Sequence, residues 1–158
     1  VSRVLHPEGQ FIFTVPSDVF PTMLDGYIKH IDADDPEGAQ AYIEGVNTLL
    51  AHRHYHTPDQ WEELLAGAGM RMVKSRYYVP EATERHWDRM NRRYGIGQER
   101  GVWRILASPR LRSLGYQNIL RKLVVWRLSH TLRIYYDLNV SQVGKGGGLL
   151  VVAQKESA

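Results

Sequence analysis

The sequence lacks several features that define large classes of proteins. It contains no cysteine, which excludes disulfide bonds and thiolate metal sites. No stretch approaches the roughly eighteen consecutive apolar residues of a membrane-spanning helix, and no charged-then-apolar leader precedes the first strand signal. We therefore expect a soluble segment, and the absence of cysteine fits the reducing cytoplasm.

What is present has the size and composition of one globular domain. The chain has 158 residues, of which 43% are hydrophobic, and this is enough to bury a sizeable core. The opening residues "VSRVL" have the pattern of the last turns of a helix. We therefore expect the chain to be a segment of a longer protein.

Positive charge is concentrated in one part of the chain. The formal net charge is +3, yet the residues from Arg100 to Tyr135 include eight arginines and lysines and no acid. This segment predicts either a helix on an anionic membrane surface or against a lipid-like acceptor, or a lid or dimer element whose arginines stay solvated. The lid or dimer interpretation is favoured. No nucleic-acid partner is predicted, because no DNA- or RNA-binding module accompanies the charge.

Three short runs predict β-strands. The first, "QFIFTV" at 10–15, is rich in β-branched and aromatic residues and is closed by Pro16. The second, "MRMVKSRYYVP", follows Gly69 and ends at Pro80, and the third is "GGGLLVVAQK" at 146–155. Because the first run does not alternate between apolar and polar residues, it predicts a strand covered on both faces, as in a parallel α/β sheet.

The strongest helix signal precedes the second strand. Thr57 is a suitable N-cap, Pro58 suits the first helical position, and Gln60 completes a capping box. Gly67 and Gly69 are available to end the helix. Its apolar residues recur at helical spacing: Trp61, Leu64, Leu65 and Ala68. The pattern predicts an amphipathic helix that packs on another element.

The segment 17–51 carries mixed signals. It favours a short helix or a loop, followed by a polar turn, "DADDPEGA". Its acids suggest calcium, but Pro36 stands where the calcium loop needs Asp or Asn, and Glu37 stands where it needs Gly. Calcium is therefore not predicted. The later segment 80–143 is mostly helical in pattern and is interpreted as an insertion between the second and third strands.

Together these pieces resemble the C-terminal half of a class I S-adenosylmethionine-dependent methyltransferase. The matching stretches are "VSRVLHPEGQFIFTVPS", "HRHYHTPDQWEELLAGAGMRMVKSRYY" and "GGGLLVVAQK", which are similar to the turn and fifth strand, the helix and sixth strand, and a returning seventh strand. The resemblance implies an α/β fold with a partial Rossmann-like sheet of about three strands and a mostly helical insertion before the last strand. It implies three parts: the domain segment 1–79, an insertion at 80–143 that serves as a lid, substrate or dimer element, and the final strand at 144–158.

The family's cofactor signature is missing from the chain. That signature is a glycine-rich turn after the first strand, followed by an acid at the end of the second strand. "GKGGG" at 144–148 leads into a strand instead of following one. The resemblance therefore implies the acceptor-side segment of a protein that transfers a methyl group from S-adenosylmethionine to a small-molecule or lipid-like acceptor. The segment alone is expected to be inactive.

Two short stretches supply the candidate substrate contacts. Ser17 and Asp18 directly follow the first strand, where open α/β sheets bind ligands, although both residue types also cap and turn chains. In the resembling family, the loop before the helix lies near the acceptor, so His54 and Tyr55 are the other candidates. The alternating histidines 52, 54 and 56 predict no metal site, since the capped helix already explains the segment and tetrahedral zinc needs further ligands. No catalytic residue is assigned.

A second function class stays open. The chain also fits a noncatalytic binding or dimerisation domain whose basic helical surface meets a partner, and uncovered strand edges would favour a homodimer. The sequence upstream of Val1 distinguishes the two, because a strand with a glycine-rich turn, a helix and an acid about 20 residues further on would favour the enzyme.

Overall fold

A computed structural model gives the fold and describes residues 1–94, 109, 117–136 and 144–156. The described part combines helices with one sheet, which confirms the predicted α/β class with helices before the last strand. Short 3₁₀ turns occur at Ser2–Val4 and Pro21–Met23. The strands and α-helices are, in chain order, β1 (Gln10–Pro16), α1 (Asp25–Asp32), α2 (Pro36–Leu50), α3 (Pro58–Gly67), β2 (Met70–Tyr78), α4 (Glu81–Tyr94), α5 (Gln117–Tyr136) and β3 (Gly148–Lys155).

The sheet has the order β1-β3-β2, with β3 antiparallel to both of its neighbours. β1 and β2 therefore run in the same direction, one on each side of a strand that returns between them. Gly148 at the start of β3 pairs with Pro16 at the end of β1 and with Tyr78 at the end of β2. The bounds of all three strands agree with the sequence prediction within a residue or two.

β1 is buried on one face only, so the prediction of a strand covered on both faces was wrong. The side chains of Phe11 and Phe13 turn toward the core, whereas Ile12 is 60% exposed and Thr14 is exposed. Ile12 interrupts the expected polar outer face, and this is why the run did not show the alternation of a half-buried strand. In the described part, the outer face of β1 is open.

The core lies between the inner face of the sheet and α3. It contains Leu65, Met70, Leu149, Val151 and Ala153, with Trp61 and Phe13 packed against them. The predicted capping box is confirmed: the Thr57 side chain accepts from the Gln60 amide, and the Gln60 side chain accepts from the Thr57 amide. The predicted apolar face is narrower than expected, because Leu64 is 52% exposed.

Two helices lie between β1 and α3. α1 agrees with the short-helix alternative predicted for this segment, whereas α2 begins within the predicted polar turn and was not predicted. Asp35 is the N-cap of α2 and accepts a hydrogen bond of 2.9 Å from the Gly38 amide, and Pro36 occupies the first position. The same carboxylate bonds His30 Nδ1 of α1 at 2.8 Å. The acids considered for calcium thus include the cap that joins α1 to α2.

The helices after β2 differ in how they contact the rest of the chain. α4 packs against α1, and α5 meets α4 where Tyr135 stacks on His86 with ring centroids 4.6 Å apart. Much of the predicted insertion, 95–108, 110–116 and 137–143, lies outside the described residues, so its bounds stay a prediction. None of the described helices is both long enough and apolar enough to cross a membrane.

Candidate functional site

The polar residues of interest gather where β1 and β2 end and β3 begins. We call this region the strand-end edge, and it consists of 17–18, 77–79 and 144–148. Because β3 is antiparallel to its neighbours, its first residue lies between the last residues of β1 and β2. In open α/β sheets, ligands bind beyond the carboxyl ends of the strands. The strand-end edge is therefore the candidate site.

Ser17 hydrogen-bonds the turn at 144–148, which we call the glycine turn, to the end of β1. It is completely buried, its hydroxyl donates a hydrogen bond of 2.6 Å to the Gly146 carbonyl, and its amide donates to the Gly147 carbonyl at 2.9 Å. The Gly147 amide in turn donates to the Val79 carbonyl at 2.8 Å, which joins the turn to β2. These contacts give Ser17 a structural role, and its predicted substrate contact stays a prediction.

Asp18 is the centre of a polar cluster on the more open side of the same edge. The Tyr77 hydroxyl donates to Asp18 Oδ1 at 2.7 Å, and the Lys145 ammonium contacts Oδ2 at 3.3 Å. Burial, followed by the bond to Asp18, raises the pKa of Tyr77, so the phenol keeps its proton and remains a donor. The Lys145 side chain is 60% exposed. The cluster thus presents the exposed Lys145 ammonium and a hydrogen-bonded carboxylate to a polar ligand.

Glu84 of α4 lies on the buried side of the strand-end edge. It is 8% exposed and rests against the backbone of Gly147. Burial and then the negative charge of Asp88 raise the pKa of Glu84 to about 7. At neutral pH the protonated and ionised forms therefore coexist, which is the condition under which a carboxyl group is effective in transferring protons.

Sequence reasoning missed Glu84. Its helix was predicted as polar, and nothing in the spacing of its charges indicates which of them are buried. Within α4, Glu84, His86 and Asp88 are all at least nine-tenths buried. The only sequence signal was the pair of acids at 84 and 88, one helical turn apart and on the same helix face.

Asp88 joins three helices below the strand-end edge. It is 1% exposed, and it accepts one hydrogen bond from the Tyr42 hydroxyl of α2 and another, at 2.8 Å, from the Gly26 amide of α1. The Arg92 guanidinium lies 3.6 Å away. This arrangement satisfies both carboxylate oxygens, as a buried charge requires.

Asp25 forms a second buried ionic centre beside Asp88. Its carboxylate pairs with Lys29 at 2.9 Å, with Arg89 at 2.9 Å and with Arg92. Burial alone would raise its pKa, but the hydrogen bonds from Lys29 and Arg89 outweigh burial and lower the pKa of Asp25 to about 2. The two centres hold α4 in place, and thereby hold Glu84 against the turn.

The loop that contains His52, His54 and His56 makes two separate groups of contacts. His52 lies 3.3 Å from the Tyr55 hydroxyl, which donates to Asn47, and both rings contact Phe20. Burial lowers the pKa of His52 and raises that of Tyr55. These contacts join the loop to the end of α2.

The other contact group runs toward α3. His54 stacks on His56 at 5.5 Å, and His56 meets Trp61 edge-on at 5.2 Å. Tyr55 approaches the segment after β1 through Phe20, but no described contact joins His54 to Ser17 or Asp18. The four predicted substrate residues therefore do not form one cluster in the described part, and their role stays a prediction.

The glycine turn at 144–148 does not fit S-adenosylmethionine. The glycine turn uses its amide and carbonyl groups to bind the ends of β1 and β2, as described above. Space beside Gly147 and Gly148 is occupied by the protein itself: a Cβ on Gly148 would lie 2.5 Å from the Tyr78 ring, and a Cβ on Gly147 would clash with Glu84. We therefore assign no cofactor contact to this turn. The described part also contains no group of three or more histidine or acidic side chains placed to hold a metal ion.

Comparisons with protein-family models, curated proteins and solved structures gave no match for this chain.

Proposed function

We propose that this chain is the acceptor-side C-terminal segment of an S-adenosylmethionine-dependent methyltransferase that acts on a small-molecule or lipid-like acceptor. The observation that carries the proposal is the sheet: β3 returns antiparallel between β1 and β2, as the resemblance to the fifth, sixth and returning seventh strands implies. The strand-end edge that results carries Asp18 and Lys145, and Glu84 of α4 lies against its Gly147; these are the kinds of groups that orient and deprotonate an acceptor.

The open surfaces of the sheet support a larger parent domain. Among the described residues, β1 pairs only with β3, and its other edge is free. It is a seven-residue strand without a charged side chain, and natural sheets seldom leave such an edge exposed. Further strands added at this edge would continue the sheet and bring a cofactor-binding half to the chain. We expect the parent protein to act in the cytoplasm, since the chain has no cysteine.

Each group at the strand-end edge has a proposed role. Glu84 accepts a proton from the acceptor, because its raised pKa leaves it partly ionised at neutral pH. Lys145 binds an anionic or polar group of the acceptor through its exposed ammonium, while Asp18 fixes that ammonium. Ser17 keeps the turn in register. The cofactor is bound by the parent's other half, and no contact with it is assigned here.

The test compares the chain with the protein translated from the complete reading frame. We expect the coding sequence upstream of Val1 to specify a strand, a glycine-rich turn, a helix and an acid about 20 residues further on. In titration calorimetry, S-adenosylmethionine should bind stoichiometrically to the longer protein and should give no heat with the 158-residue chain. Stoichiometric binding to the chain alone would overturn the proposal, as would a complete reading frame without the glycine-rich turn.

A matched pair of substitutions tests the proposed base in the longer protein. Glu84→Gln should lower kcat for the acceptor about 100-fold or more, as expected for loss of a general base, with the affinity for S-adenosylmethionine unchanged. Glu62→Gln, which neutralises an exposed acid of α3, should have no effect. Equal activity of the two variants would show that Glu84 takes no part in the reaction. The titration with S-adenosylmethionine would still stand as an independent test of the proposed function.

A noncatalytic binding domain is the second candidate, and one observation favours it. α5 exposes large apolar side chains in the midst of basic ones, including Trp126 at 69% exposure, which is typical of an interaction surface. A complete reading frame that lacks a cofactor-binding half, together with binding through α5, would select this function.

A further inference from the structure

All described side chains of α5 except Tyr135 are exposed, and the side of the helix opposite Tyr135 turns furthest from the rest of the described chain. Five exposed side chains lie on this side: Lys122, Leu123, Trp126, His130 and Arg133. At about 100° per residue they fall within roughly 100° of the helix circumference. We call this surface the α5 outer face. Trp126 is 69% exposed and Leu123 is 58% exposed.

The opposite side of α5 contacts the protein. Tyr135 stacks on His86 of α4, and it lies nine residues after Trp126, which places it about half a turn around the helix from that residue. The contact with α4 therefore directs Trp126 outward. On the outer face, Trp126 and His130 stack on one another with ring centroids 6.2 Å apart.

We infer that the α5 outer face binds the surface of a membrane that contains anionic lipid. Tryptophan prefers the boundary between headgroups and acyl chains, and basic side chains beside it are attracted to anionic headgroups. α5 carries both residue types and no acid over its twenty residues. Lys122 and Arg133 flank the aromatic pair, so the charge of the face is complementary to that of the lipid surface.

The charges also distinguish a membrane from a symmetric dimer in which two α5 outer faces pack against each other. Two outer faces packed against each other would bring Lys122 and Arg133 of both copies together. No acid on α5 is available to pair with them, and like charges across an interface are unfavourable. An anionic bilayer offers the opposite charge and an apolar layer for Leu123 and Trp126. This inference does not depend on the proposed methyl transfer.

The test is co-sedimentation of the 158-residue chain with lipid vesicles. Vesicles of phosphatidylserine and phosphatidylcholine in equal amounts should pellet the chain, vesicles of phosphatidylcholine alone should bind it at least about tenfold more weakly, and high salt should release it. The double variant Lys122→Glu with Arg133→Glu should bind the anionic vesicles at least about tenfold more weakly than the wild type. Arg3→Glu with Lys74→Glu makes the same change of charge at exposed sites on other elements and should bind nearly as the wild type does.

A second readout locates the contact on the helix. Brominated lipid should quench the tryptophan fluorescence of the wild type, and Trp126→Phe should lose most of the quenching. Equal loss of binding in the two double variants would overturn the inference, since it would reflect net charge alone. It would also be overturned by a chain that ignores anionic vesicles while it dimerises in light scattering or binds duplex DNA.

Discussion

The Asp88 carboxylate of α4 accepts a hydrogen bond from the Tyr42 hydroxyl of α2 in a site that is almost completely buried. Its second oxygen accepts from the Gly26 amide of α1. Asp88 is therefore the point at which three helices meet. Because the bonding is complete, removal of one donor leaves a buried oxygen without a partner.

Tyr42→Phe tests this junction. The substitution keeps the ring and removes only the hydroxyl, so Asp88 loses one donor in a buried site. We expect the free energy of unfolding in urea to fall by about 1–3 kcal/mol. Tyr27→Phe is the control, since no described residue bonds the Tyr27 hydroxyl, and it should change stability by less than about 0.5 kcal/mol. Equal effects would contradict the junction.

Local signals were sufficient to predict the three strands and α3. Each strand is bounded by turn residues, and Thr57, Pro58 and Gln60 specify the start of α3 through contacts within four residues of each other. Such signals act before tertiary packing, and this is why the bounds agree. The direction of pairing is not local, so the open outer face of β1 was not predicted.

α2 was missed although its start carries a similar signal. Asp35 and Pro36 repeat the order of cap and proline found at Thr57 and Pro58. Ile43, Val46 and Leu50 then recur at helical spacing. The cluster of acids around the cap favoured a polar turn, so the helix that follows was overlooked.

The site was only partly predictable. Ser17 and Asp18 were predicted as substrate contacts because the end of a strand is a local feature. The structure places both at the strand-end edge, and their contact with a substrate stays a prediction. Glu84 was not found, because its burial depends on Gly147, which is distant in sequence, and on Asp88 being held by α1 and α2. From its sequence alone, a helix rich in charged residues is predicted to be exposed to solvent. Only tertiary contacts show which of its side chains are buried.

The ionised carboxylate of Asp25 should stabilise the fold at every pH above its ordinary pKa of 3.8. Its folded-state pKa of about 2 lies below the ordinary value of 3.8, so the folded state prefers the ionised form. This contribution, about 2 kcal/mol, should be complete above pH 3.8 and should be lost as the pH falls toward 2. Asp25→Asn should remove it, so the difference from the wild type in urea unfolding should shrink over that interval.

The control for Asp25 is Glu62→Gln, which changes an exposed acid of α3. Its difference from the wild type should stay within about 0.5 kcal/mol at every pH. A difference for Asp25→Asn that does not vary with pH would show that the ion pairs do not account for the role of Asp25.

Gly146 should tolerate no side chain. It is buried, and a Cβ at this position would lie 2.5 Å from the Tyr78 carbonyl oxygen and 2.8 Å from that of Val79. Because these are backbone atoms, the end of β2 would have to move to make room for the side chain. Gly146→Ala should therefore lower the free energy of unfolding by about 1–3 kcal/mol, which a lower melting temperature would show. Gly45→Ala is matched in chemistry but lies in α2 with open space around it, so it should stabilise by up to about 1 kcal/mol. Destabilisation by both would contradict the argument.

Glu84 should make the protein less stable as the pH rises toward neutrality. Its pKa is about 7 in the folded state and about 4.5 ordinarily, so between these values the folded state holds more protons than the unfolded state. Stability contributed by this group should therefore fall by about 3 kcal/mol from pH 4.5 to pH 7. Glu84→Gln cannot ionise, so its free energy of unfolding should lack that decline.

The difference between Glu84→Gln and the wild type isolates this titration from those of all other groups. In urea titrations it should become more favourable to the variant as the pH rises from 4.5 to 7, and it should stay constant above that interval. Glu81→Gln changes an exposed acid at the first position of α4 and should show no such trend. If the two variants behave alike, Glu84 is ionised at an ordinary pH, and the proton acceptor proposed for the strand-end edge must be sought elsewhere.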